Sequence, residues 1–337
     1  MRRIFILPSL KAMAFTALLA GAAGLALAQA PAAGAVQTYP NKPIRLVVPY
    51  PAGGATDYVA RLIGERLSKR WGQPVVVDNK SGAAGAIGVA DVAKAEPDGY
   101  TVLFTINDPL VNNVALFKTL PYDPQKDLAF VAQILRSPAL ISANTELGVK
   151  NFEDFRKLAQ PAAKFSYGSW GIGGLGHLAG ETLNRNLKAQ MVHVPQRGEG
   201  PVVQDLMGHT VSIGLTSVAT AKQQVAAGKI VPLAMMGRER SSALPHVPTL
   251  RELGFTDPLY DTSVWMAVLV PVRTPAPIVQ RLATEIRAIA NSAEVRNQLV
   301  DRGFEMQVST PEQAQANYKA EFDIITKRIR DLGIEPQ

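Results

Sequence analysis

The chain has 337 residues, 47% of them hydrophobic and 19% charged, with no cysteine and a formal charge of +7. That is enough apolar material for two ordinary cores, and it excludes disulfides, thiolate metal sites and cysteine nucleophiles. Three of the positive charges, Arg2, Arg3 and Lys11, sit at the N-terminus, which leaves 32 Lys and Arg against 28 Asp and Glu elsewhere; this scattered excess is not a nucleic-acid-binding stripe.

Residues 1–28 have the three-part layout of a secretory signal. The basic start is followed by a small, apolar run from Ala12 to Leu27, then by Ala26-Leu27-Ala28 as a small-x-small cleavage site; Ala33-Gly34-Ala35 is a second candidate. The run is short and Ala/Gly-rich for a membrane span. The expectation is an exported, cleaved protein of the periplasm, with no cysteine to carry a lipid anchor.

The first predicted element is a strand over Ile44 to Val48, which stops at Pro49-Tyr50-Pro51-Ala52-Gly53-Gly54. A helix then starts at Thr56 or Asp57, with Val59, Leu62, Ile63 and Leu67 at helical spacing. The first-turn amides of such a helix are unpaired and its dipole is positive there, so the junction favours an anion, and Gly53-Gly54 let the backbone approach it closely. Asp57 reads as the N-terminal cap, holding the loop, rather than as a catalytic acid. A strand from Val75 to Asp78 follows. Gly82-x-x-Gly85-x-x-Gly88 comes next, a weak match to a dinucleotide fingerprint that lacks its acidic partner and reads as tight helix–sheet packing. With a third strand from Tyr100 to Thr105 the rhythm is βαβαβ, which implies a parallel sheet flanked by helices.

Residues 126–143 read as a connecting segment with two short apolar runs. A helix begins at Asn151. A second αβ set follows, with a strand from Lys164 to Tyr167, a Gly-rich loop from Gly168 to Gly174, and a helix from about Gly176 to Asn186. Strands at Gln190 to Val194, Val211 to Leu215 and Val231 to Met235 alternate with helices. Trp265 to Val270 is a strand with Trp265 in the core, and helices over 275–292 and 311–332 close the chain. Two αβ units joined by crossings imply two lobes with a cleft at the carboxyl ends of the strands. Ser169 and His177 also fit a nucleophile and base, but Gly168-Ser169-Trp170-Gly171 is not the nucleophile elbow, so a secreted hydrolase is the lesser alternative. His177, His193, His209 and His246 show no metal spacing, and neither metal nor cofactor is expected.

The stretches Tyr39-Pro-x-Lys-Pro-Ile-Arg-Leu-Val-Val-Pro-Tyr-Pro-Ala-Gly-Gly-x-x-Asp57, Val75-Val-Val-Asp-Asn-Lys-Ser-Gly-Ala-x-Gly-x-Ile-Gly88 and Pro97-Asp-Gly-Tyr-Thr-x-Leu103 resemble the Bug-type family, the extracytoplasmic receptors of tripartite tricarboxylate transporters. So do Gly168-Ser-x-Gly-x-Gly173, His177-Leu-x-x-Glu181, His193-Val-Pro-x-x-Gly198 and Leu244-Pro-x-Val-Pro-Thr249. The resemblance is collinear over the mature chain. It implies an α/β, two-lobed type II periplasmic-binding-protein fold, each lobe a mostly parallel sheet flanked by helices, with the ligand in the interlobe cleft. The lobes are expected over 39–141 plus 264–337 and over 142–263.

The resemblance further implies a non-enzymatic, monomeric solute-binding protein. It would deliver a small carboxylate to integral-membrane transporter subunits or, alternatively, serve a sensor or signalling receptor. Its ligand-binding residues would be Tyr50, Ala52, Gly53, Gly54 and Asp57 in the first loop, Thr105 and Asn107 after the third strand, and Gly168, Ser169, Trp170 and Gly174 in the second loop. Gln196 and Thr216 complete the set. Gln196 stands where the family usually has an aromatic residue, Trp170 where a small residue is common, and Gly174 where Ser or Thr is frequent. Ser212 and Thr216 stand where Asp is frequent. The loss of Asp at 216 removes a partner for a ligand ammonium group, so a non-amino mono- or dicarboxylate is expected over an amino acid.

Overall fold

A computed structural model describes residues 39–159 and 164–336; the expected signal segment lies outside the described residues. The branched residues of Ile44–Val48 (β1) are almost wholly buried because both neighbouring positions in the sheet are filled. β1 pairs in parallel with Val75–Asn79 (β2) and Thr101–Ile106 (β3), through Ala55–Trp71 (α1) and Ala86–Ala93 (α2). α1 ends at Gly72, whose left-handed backbone lets its amide bond Ser68 O. At Gly88 an added Cβ would lie 2.7 Å from Lys80 O and 2.8 Å from Pro49, so the glycine run serves close packing of α2 on the sheet.

Asn112–Leu116 (α3) and Pro124–Asp127 (α4) lead into Leu128–Ser137 (β4), and Ala139–Asn144 (β5) begins after a single residue, Pro138. The second half of the chain runs through Phe152–Leu158 (α5), Ser166–Ser169 (β6), Leu175–Leu187 (α6), Val192–Pro195 (β7) and Glu199–Met207 (α7). Ile213–Ser217 (β8), Val218–Ala226 (α8) and Ile230–Met235 (β9) follow. Val264–Pro271 (β10), Ala276–Ala290 (α9), Ala293–Asp301 (α10), Glu305–Met306 (β11) and Pro311–Asp331 (α11) complete it. α11 opens with a capping box between Thr310 and Gln313 and a proline in its first turn.

The strands form two sheets, ordered β11-β4-β10-β3-β1-β2 and β7-β6-β8-β5-β9. Both are mixed rather than mostly parallel. β10 runs antiparallel to β3 and β4, and β5 runs antiparallel to β8 and β9, while β1–β3 and β6–β8 keep the parallel αβ pattern. The antiparallel strands are those next to the crossings between sheets, where the chain arrives from the other side without a helical return. Residues 126–143 are therefore not a connector: β4 and β5 are buried on both faces, so neither shows the alternation that marks a half-buried strand. Ala139, Leu140 and Ile141, expected with the first sheet, pair in the second. A continuous apolar cluster runs from Val47 and Leu103 through Leu110 and Leu116 to Leu175 and Ile213, so the two sheets share one core.

Candidate functional site

Two loop–helix junctions have the same build. Gly53-Gly54-Ala55-Thr56-Asp57 opens α1 and Gly173-Gly174-Leu175-Gly176-His177 opens α6. Gly53 and Gly173 have φ of 86° and 74°, a conformation that a side chain would strain. Gly54 and Gly174 are the extended N-caps. Asp57 is thus not the cap expected from the sequence: Gly54 takes that seat, and Asp57, at the third helical position, reaches back so that Oδ2 accepts the Gly53 amide at 2.9 Å. It also accepts Arg61 Nε at 3.0 Å and Asn79 Nδ2 at 2.9 Å. Burial pushes its pKa up, but Arg61, the Gly53 amide and Asn79 outweigh that and hold it below the usual carboxylate range. Asn79 also donates to Tyr50 O, which fixes the loop from its other side. The amides of Gly54, Ala55 and Thr56 take no acceptor among the described residues; they are the free donors of this junction.

At the second junction the chain supplies its own acceptors. His177 Nδ1 accepts the Gly173 amide at 2.9 Å, and the Leu175 amide points its dipole at the Asp108 carboxylate closely enough to favour its charged form. Trp170 Nε1 donates to Asp108 Oδ2 at 3.2 Å, and Asn112 Nδ2 donates to Gly173 O at 2.7 Å. The indole of Trp170 covers the start of α6, where a Cβ on Gly174 or Gly176 would come within 3.0 Å or 2.6 Å of it. Segment 107–112 thus clasps the second loop to the first sheet. Burial drives the Asp108 pKa up to about 6; the Trp170 indole and the Leu175 amide work against that, and Glu199 adds to it. Asp108 was not legible as a site residue. Its one signal is an acidic side chain just past a strand end in an otherwise apolar and amide-bearing stretch.

Tyr167, His193 and His177 form a stack, with ring centroids 4.8 Å and 4.0 Å apart. Ser169 is wholly buried; its hydroxyl donates to Gly171 O at 3.1 Å and meets His193 Nε2 at 2.8 Å. The alternative pairing of Ser169 with His177 does not form, because His177 is turned onto the Gly173 amide. The histidine that Ser169 meets is neutral: burial and the adjacent His177 push His193 down to about 4, and burial lowers His177 as well. With its proton directed at Gly171 O, Ser169 is a receiver of the His193 N–H rather than an activated nucleophile.

The other expected residues divide into two groups. The Tyr50 and Thr105 hydroxyls are inaccessible to solvent and bear on each other, and the Thr216 hydroxyl in β8 is buried with no hydrogen-bond partner among the described residues. Asp108 acts on the Tyr50 hydroxyl, whose pKa is raised by burial first and by that charge second. Asn107 is buried with Nδ2 on Ser263 O. Tyr50, Trp170 and Gly174 stand beside segment 105–112, Thr216 lies opposite Leu140 in the second sheet, and Ala52, Gly53 and Gly54 are exposed. Gly168, Ser169 and Gln196 are committed elsewhere. Gly168 packs on Val202 and Val211, and Gln196 Nε2 donates to Asp205 at 2.6 Å. Glu199, half-buried at the start of α7, receives the Ser217 and Thr220 hydroxyls and the Ser217 amide. Among the described residues no group of His, Asp and Glu is gathered to hold a metal.

Residues 59–331 match the family described as the tripartite tricarboxylate transporter family receptor. Protein BugT of Bordetella pertussis is 32% identical over 300 residues, covering 88% of this chain and 91% of that protein. Among solved structures, R. palustris Rpa4515 with adipate is 34% identical with a TM-score of 0.82, covering 89% of this chain and 100% of that one. The periplasmic binding protein BugD is 29% identical with a TM-score of 0.80, over 89% of this chain and 100% of that one.

Proposed function

The chain belongs to the tripartite tricarboxylate transporter receptor family, and from that premise we propose that it captures a small organic carboxylate between two lobes in the periplasm, as a monomer, and hands it to integral-membrane transporter subunits. The lobes are the two sheets with their helices, meeting at Pro138 and in the return before Val264. The observation that carries this reading is the α1 junction: Gly54, Ala55 and Thr56 present amides with no acceptor among the described residues, at the positive end of a long helix. Asp57, Arg61 and Asn79 hold the loop in the shape that keeps those amides together. Closure of the second lobe over the bound acid gives the permease a shape to recognise. Rpa4515 was solved with adipate, which supports a carboxylate as the ligand class.

The test is a thermal-shift screen of protein lacking residues 1–28 against mono-, di- and tricarboxylates, aromatic acids and amino acids. A ligand of the folded state raises the melting temperature with concentration. At least one acid should do so; a flat response to every acid overturns the reading.

A further inference from the structure

We propose that His177 is a positioning residue for the second loop, holding it through a hydrogen bond that only the neutral imidazole can make, so that uptake of a proton by this side chain sets the loop free. It rests on the reading above only in taking that loop as part of the ligand site. The Gly173 peptide is held from both sides. Its N–H donates to His177 Nδ1 at 2.9 Å, within α6, and its carbonyl accepts Asn112 Nδ2 at 2.7 Å, from α3. Both bonds are buried. With φ of 74° and Leu116 packed against its Cα, Gly173 is the point at which the loop is tied to its own helix and to its neighbour across the boundary.

An amide N–H can be met only by a ring nitrogen that carries no proton, so Nδ1 is the bare nitrogen of His177 and Nε2 carries the hydrogen. A proton added at Nδ1 turns the acceptor into a donor. Two N–H groups would then face each other in a buried place, where an unmade bond is costly. The ring is also poorly placed for a charge. It stands at the third position of α6, near the positive end of the helix dipole. His193 is stacked on it, with centroids 4.0 Å and planes 14° apart, so a charge on either ring opposes a charge on the other.

The stack has a second grip on the loop. Ser169 Oγ donates to Gly171 O, and His193 Nε2 donates to Ser169. That chain of bonds survives protonation of His193, whose Nε2 stays a donor, whereas the His177 bond does not survive its own. The titratable groups that bear on the two rings are Glu181 on α6 and Tyr167 on β6, joined by a 2.5 Å hydrogen bond; Asp108 reaches the same loop from segment 107–112 through Trp170. Burial lowers His177 below the ordinary 6.5, and Glu181, which favours the cation, does not offset it. The tie is accordingly whole above pH 6.5 and weakens as pH falls from there toward the lower, folded value. α1 has no such sensitivity near neutrality, because Asp57 makes the same bond with a carboxylate held below the usual range.

The experiment follows hydrogen-exchange protection of the Gly173 amide by NMR in the ligand-free protein lacking residues 1–28, from about pH 8 to about pH 4. In the wild type, protection should be level above pH 6.5 and then fall by up to about tenfold per pH unit. His177→Asn places an oxygen the same number of bonds from the backbone as Nδ1, and that oxygen does not titrate; it should keep the amide protected across the range. His177→Ala, with no acceptor, should leave the amide poorly protected at every pH. Wild-type protection that stays level to about pH 4, or that falls equally in His177→Asn, overturns the inference. No ligand enters these measurements, so a flat response in the carboxylate screen overturns that reading and leaves the proton-sensitive tie standing. Should neither variant fold, nitrogen NMR spectra of the wild-type imidazoles decide. His177 Nδ1 should gain its proton over the same interval in which Gly173 loses protection, and an Nδ1 that stays bare through that loss, or that carries a proton already at neutral pH, overturns the inference.

Discussion

Asp57 and His177 are counterparts: each is the third residue of its helix, and each accepts at 2.9 Å the amide of the glycine four positions earlier. The same backbone device thus carries an ionised carboxylate in one lobe and a neutral imidazole in the other. The charge of Asp57 is matched by Arg61, while His177 is stacked in an apolar setting where charge is disfavoured. The α1 junction is consequently the open one, with amides to offer, and the α6 junction is already occupied by the chain itself.

Asp57→Ala should raise the Kd for the bound acid about tenfold while costing on the order of 1 to 2 kcal/mol of stability, since the freed Gly53 amide lies in a solvent-exposed loop. Calorimetry and urea unfolding of the variant measure both. An unchanged Kd in a folded variant would remove Asp57 from the account of binding.

Gly53→Val should abolish binding without a steric clash. An added Cβ at Gly53 meets nothing within 4 Å, but the φ of 86° is hostile to a branched side chain and the loop must rearrange. Full affinity in this variant would place the ligand away from the α1 junction.

Gly173→Ala should pry the clasp open. Its Cβ would fall 2.0 Å from Leu116 Cδ1, across the contact that joins the second loop to α3. Small-angle scattering should show a larger radius of gyration than wild type in the absence of ligand; an identical profile would mean that the lobes absorb the methyl locally.

Asp108 should make stability fall as pH rises. Its folded pKa, about 6, lies above the ordinary 3.8, so the native state holds its proton more tightly than the unfolded chain does. The protonated form is favourable below about pH 4, and that contribution is lost through pH 6. Relative to wild type, Asp108→Asn should therefore gain on the order of 3 kcal/mol between pH 4 and pH 7. Parallel stability curves for the two proteins would refute the burial of this charge.

His193 should act in the opposite sense. Its folded pKa of about 4 lies below the ordinary 6.5, so its contribution is whole above 6.5 and declines as pH falls toward 4. Replacing it with Gln should flatten that part of the acid limb of the unfolding curve; an unchanged limb would mean that the His193 stack does not resist protonation.

Much of this was legible in the chain. The strand into the Pro-Tyr-Pro-Ala-Gly-Gly turn is punctuated so heavily, and α1 is so regularly periodic, that β1 and its junction follow from residue types alone. The Gly168 to Gly174 loop is readable for the same reason. β4 and β5 were not, because burial on both faces removes the alternation that distinguishes a strand from an apolar connector. The role of Asp57 was displaced by one turn, since nothing local says that Gly54 outcompetes it for the cap. Asp108 was hidden for a different reason: its indole partner is 62 residues away in sequence, just past the end of β6 in the other sheet.

The single residue between β4 and β5 also bears on how the molecule comes apart. Both strands are laddered along their length, and Pro138, with its fixed φ, offers no slack between them. Fraying one sheet pulls directly on a central strand of the other, and the core that runs through both adds to that tie. The halves are therefore cooperative in melting although they are separate in architecture, and a calorimeter should record one transition with equal calorimetric and van't Hoff enthalpies.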